Sequence, residues 1–129
     1  MNKLNLDDIK GMAALLVHAA KIDEKYSDKE KDLIKDFVRS YLKDDNLDEI
    51  LKSAEELENN SNQLLNFTNI IKKENNEIKS DIIRHLWKII ISDKTVDLYE
   101  SNLMRRICGL IYFPDKMSAE IKLRLLDTK

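Results

Sequence analysis

Helix-breaking residues are almost missing from this chain. Gly11, Gly109 and Pro114 are the only glycines and the only proline in 129 residues. A many-stranded sheet needs a turn every few residues, and turns draw heavily on Gly and Pro. So few of them, in a chain that is 43% apolar and 36% charged, points to long helices joined by short polar connections. The length favours a single domain, residues 1–129, with one core.

Apolar spacing places the helices. Ile9, Ala13, Leu16, Val17 and Ala20 form one stripe over 6–22, with Asn5 or Asp7 as cap and acids in the first turn. Ser27 to Glu30 reads S-x-x-E, a capping box, ahead of Leu33, Ile34, Phe37, Val38, Tyr41 and Leu42. A third helix spans about 47–58. A fourth, shorter one carries Leu64, Leu65, Thr68 and Ile71, with Ser61 or Asn62 as cap, and "KENNE" breaks it. The fifth, about 77–92, is apolar nearly all round and is expected to be the central, most buried helix. Its Ile89-Ile90-Ile91 would suit a strand, but the helical stripe from Ile78 runs through it without a turn signal. A sixth begins at Asp97 and ends before Pro114, and Ser118 can cap a last short helix. The fold class is therefore all-α: six to seven helices in a compact bundle.

The chain also repeats itself. Shifting it by 70 residues lays Leu16 on Leu86, Asp23 on Asp93, Ser27 on Asp97, Glu30 on Glu100, Leu33 on Leu103 and Phe37 on Ile107. The bundle is thus expected to contain two pseudo-symmetric helical hairpins, about 6–45 and 77–113. Glu30 and Glu100 fall at the third helical position, where free N–H groups and the helix dipole welcome a carboxylate. Asp23 and Asp93 end the preceding helices, where the dipole disfavours an anion. Each needs either an Asx-turn or a cation. A hard divalent ion, Ca²⁺ or Mg²⁺, would suit such oxygen donors. The spacing is not that of an EF-hand, because Lys25, Ser27 and Asp28 stand where acids and a Gly would be required.

These residues resemble a known family. An apolar helix ending "HAAKID", then "EKYSDKEKDLIKDF", with "LWKIIISDKTVDLYESNLMRRICGLIYF" in the second half, is similar to the TerB-like family of tellurite-resistance proteins and co-chaperone N-terminal domains. The resemblance covers roughly 10–45 and 80–126. It implies an all-helical domain acting in stress resistance or beside other domains. It also implies metal association at acidic positions that map onto Asp23, Glu30, Asp93 and Glu100. Where the family carries Gly after each Asp, this chain has Glu24 and Lys94.

Other classes find little support. A net charge of −2 gives no footprint for nucleic acid, and the basic spots "IIKKE" and "MRRIC" suit solvated helix faces. "WKIIIS" is too short to span a bilayer, and nothing near Met12 has signal-peptide form, so a cytoplasmic protein is expected. His18 and His85 do not correspond under the repeat, and each is expected to be solvated or half-buried. Cys108 lies on an apolar stripe as an inert thiol, and Trp87 is a core anchor. No catalytic residues are assigned and no enzyme is expected. The alternative to a metal-associated domain is a protein-interaction module whose acids only cap helices, with Tyr26, Tyr99 and Tyr112 as anchors for a protein partner.

Overall fold

A computed structural model describes residues 5–22, 26–42, 46–61, 63–92 and 98–127, with side chains from 101 onward in the last stretch. It contains α1 (Leu6–Lys21), α2 (Asp28–Tyr41), α3 (Leu47–Asn60), α4 (Leu65–Lys72), α5 (Asn76–Ile91), α6 (Leu98–Leu110) and α7 (Asp115–Asp127). No strand occurs among the described residues.

The repeat is legible in the helix boundaries. Helices α1 and α5 start 70 residues apart, as do α2 and α6. The caps of α1 and α5 correspond as well. Asn5 Oδ1 accepts from the Asp8 N–H at 2.7 Å, and Asn75 Oδ1 accepts from Ile78 at 2.9 Å. The duplication also extends beyond a hairpin. Helix α3 packs on α1, α7 packs on α5, and α4 joins the two three-helix units.

The core runs between the two leading helices. Helix α5 is buried nearly all round, as its sequence predicts, and its three consecutive isoleucines are helical because burial on every side outweighs β-propensity. Helix α1 is equally enclosed, which a single stripe does not anticipate. Met12, Ala14, Leu15 and Ala19 are buried beside the expected positions, because α2, α3, α4 and α5 all pack against this helix. Its alanines make that approach possible. Each fully buried Leu or Ile adds about 1.5–3 kcal/mol of transfer free energy. Gly11 permits a close approach to α4: a Cβ there would clash with the Ile70 side chain.

Two sequence expectations are corrected. Ser118 does not cap α7. The helix begins at Asp115, with the Pro114 carbonyl accepting from Ser118 N–H, so proline opens it. Ser118 instead lies inside, buried, where its Oγ accepts from Trp87 Nε1 at 2.9 Å. Nor does Ser61 cap α4. The helix starts at Leu65 with Leu64 as N-cap and no side-chain cap, while Ser61 Oγ binds in the preceding loop. Asn62 lies outside the described residues.

The end of α6 has a defined geometry. The Phe113 N–H donates to Cys108 O at 2.8 Å and the Tyr112 N–H to Gly109 O at 3.4 Å, a Schellman closure. Tyr112 occupies the left-handed position, φ 59°, usually given to glycine.

Candidate functional site

Of the four acids singled out in the sequence, one is described in full. Glu30 is buried on the first turn of α2, and its Oε1 accepts from the Ser27 N–H at 2.8 Å and from Ser27 Oγ at 3.2 Å. The Glu30 N–H donates back to Ser27 Oγ at 3.3 Å, completing the capping box. Glu100 lies on the first turn of α6, with its side chain outside the described set. Asp23 and Asp93 lie outside the described residues. What the fold does bring together is the flanks of the two acidic turns. Lys29, next to Glu30, donates from Nζ to the carbonyl oxygen of Ser92 at 3.2 Å, and Ser92 immediately precedes Asp93.

Two polar clusters escape the sequence reading. On the α1–α3 face, Glu58 accepts from Lys21 Nζ at 2.7 Å and from His18 Nδ1 at 3.2 Å. Burial alone would raise the Glu58 carboxyl, but the hydrogen bonds from Lys21 and His18 outweigh it and hold it below the usual range. Glu58 is 40 residues from His18, so no local spacing announces the contact.

The second cluster ties α2 to α5. Tyr41 donates to Asp81 Oδ2 at 2.7 Å, and Arg84 binds Oδ1 at 2.7 Å. His85 Nδ1 donates to the Asp81 carbonyl at 2.8 Å, with Oδ1 at 3.4 Å. Burial pushes Asp81 up, but the hydrogen bonds from His85, Tyr41 and Arg84 prevail and hold it far below an ordinary carboxylate. Contrary to expectation, His85 is buried, with its ring edge-on to Phe37 at 5.2 Å. A hint was present, because Asp81, Arg84 and His85 stand at i, i+3 and i+4 on one helix.

The tyrosines divide. Tyr26 is half-buried and donates to Glu55 Oε2 at 2.5 Å, with Lys31 over its ring, so it serves the fold. Tyr112 is 68% exposed. The Tyr99 side chain lies outside the described set. Cys108 is buried, and burial pushes its thiol up, away from a reactive thiolate.

Several clefts among the described residues are large enough for a small molecule, and two of them are lined in part by arginine. One, about 590 Å³, lies by Tyr41, Asp81, Arg84 and Arg124 and mixes acids with arginines. The other, about 730 Å³, lies between α1, the α3–α4 connection and α6.

The family model for tellurite resistance protein TerB matches residues 10–123. The chain belongs to the TerB family. No curated protein matches it, and no solved structure does. As a TerB chain it places the matched stretch from within α1 to within α7, so the match takes in both repeats and α4. Among the described residues of this TerB fold, no three His, Cys, Asp or Glu side chains gather as a metal-binding group, and no helix is long and apolar enough to cross a membrane.

Proposed function

We propose that this TerB domain is a non-enzymatic, cytoplasmic binding module of a stress response of the tellurite-resistance kind, and that its two acidic turns together hold a divalent cation. The Lys29–Ser92 contact carries this reading. It joins the start of α2 to the end of α5, so the approach to Asp93 lies beside the box formed by Ser27 and Glu30. An ammonium on a carbonyl at a helix C-terminus answers the negative end of the dipole. Ca²⁺ or Mg²⁺ would answer it more strongly if Asp23, Glu30, Asp93 and Glu100 supplied its ligands, since such ions take oxygen donors.

Thermal melts in EDTA, then in millimolar Ca²⁺ or Mg²⁺, test this. A cation at a hundred times its Kd adds about 2.7 kcal/mol, enough to move the melt by several degrees. The shift should vanish in the Asp23→Ala/Asp93→Ala double variant. An unresponsive wild type, or a double variant that responds equally, rejects the cation.

A second reading has its own support. Glu30 already has both bonds of a capping box and is buried. If the acids act only as caps, the domain is a protein-interaction module that presents exposed Tyr112 to a protein partner. Such a partner would be retained in EDTA and lost with Tyr112→Ala, whereas a cation-dependent partner would be lost in EDTA.

A further inference from the structure

In its described lining residues, the cleft between α1, the α3–α4 connection and α6 differs in chemistry from the acidic turns. Its apolar lining comes from Ile22, Leu64, Leu65 and Leu103. Its polar lining comes from His18, Gln63, Asn102 and Arg106, with no acid among the described lining residues. Ligand sites commonly have this make-up: mainly apolar walls, a few convergent polar groups and a volume of about 300–1,000 Å³. The cleft by Asp81, in contrast, sets three acids against two arginines.

Arg106 is the one permanently charged group among the described lining residues. Arg106 has no ion-pair partner among the described residues. Glu58 stands behind His18 and is held ionised by Lys21 and His18. A carboxylate only accepts, so His18 Nδ1 must be the donor to it. That bond fixes the ring and leaves Nε2 as its free polar atom. Helix α4 starts at the same cleft, with Leu64 and Leu65 in the lining and no side-chain cap. The Asn66 and Phe67 N–H groups of its first turn already donate to the Gln63 and Leu64 carbonyls, so Arg106 supplies the charge at this cleft.

We propose that this cleft binds a small organic monoanion with an apolar tail, a free medium-chain carboxylate. Arg106 takes the carboxylate in a forked pair of hydrogen bonds, with the Asn102 and Gln63 amides beside it. The aliphatic tail lies along Ile22, Leu64, Leu65 and Leu103. An equally long amine would bring its charge against Arg106, and an alcohol would lose the ion pair.

Octanoate is the probe, with octylamine and octanol as controls, titrated into the full chain in EDTA so that no cation at the turns contributes. Binding is followed by calorimetry and by backbone amide shifts. Octanoate should bind saturably, move the amides of His18, Leu64, Leu65 and Asn102, and bind tighter than either control. Arg106→Gln should weaken it by at least about tenfold without lowering the melting temperature. Leu65→Glu, at a position 45% exposed, provides a second variant that should also abolish binding, by adding a carboxylate to the cleft. Absence of saturable binding, equal binding of octylamine, unchanged affinity in both variants, or shifts confined to the Asp81 cleft would each overturn the proposal.

Discussion

The two repeats begin their helices alike and close them differently. In the first, α3 is held to α1 and to the α1–α2 connection by charged and phenolic contacts near the surface: Lys21 and His18 on Glu58, Tyr26 on Glu55. In the second, α7 is held to α5 by a buried indole, with Trp87 Nε1 on Ser118 and Lys122 Nζ 5.0 Å from the ring centroid. Trp87 occupies the position of Val17 in the first repeat. Helix boundaries are set by a few local residues, so they survive duplication. Closure depends on distant partners and is free to diverge.

Breaking each closure should expose that difference. Trp87→Ala removes a buried aromatic and leaves Ser118 without its donor, an expected loss of about 3–5 kcal/mol. Val17→Ala, at the matching position, deletes two buried methyl groups and should cost about 1–2 kcal/mol. Urea midpoints of the two variants decide it, and equal losses would mean that the repeats close alike after all.

Tyr41→Phe tests the bond between repeats. It removes a hydrogen bond to an ionised Asp81, worth about 1.5–3 kcal/mol. Its pH dependence has a definite sign. Asp81 is held below its unfolded value, so its contribution is complete above about pH 4 and fades as the pH falls toward the folded value. Tyr41 is raised by burial and by its bond to Asp81, so its contribution is complete below about pH 10 and fades as the pH rises further. Wild type and Tyr41→Phe should thus differ most in stability between those limits.

Smaller effects test how far the local signals match. Glu30→Ala should cost about 0.5–2 kcal/mol, and Glu30→Gln less, because glutamine also closes a capping box. A similar loss for Glu100→Ala, by the same melts, would extend the box to α6. The smallest change is a gain. Tyr112→Gly relieves a left-handed residue and should stabilise by up to about 1 kcal/mol, less whatever the ring gains from Lys72 Nζ at 4.9 Å. The matching Leu42 sits at φ −128° and packs on the core, so Leu42→Gly should destabilise.

What the sequence made legible follows the same division. Asn5, the Ser27–Glu30 box and the 70-residue repeat can be read from neighbours a few residues apart, and each appears as expected. Asn75 has the same local form but hides in a stretch that looks like a breaker. The enclosure of α1 is not legible in its apolar stripe, because alanines score as weakly apolar although they are what allows four helices to converge. The His18–Glu58 pair and the Trp87–Ser118 bond join distant positions, and no short pattern encodes them. Of the proposed cation ligands, only Glu30 is described in full, and its placement is the one the capping box foretold.

Trp87 is also the chain's only tryptophan. Excited near 295 nm, the protein therefore emits from one place, the seam where its last helix meets α5. Undocking of α7 would shift that emission to the red while far-ultraviolet ellipticity fell little, and loss of α3 would do the reverse. Paired spectra would then time the two halves separately, with no label added.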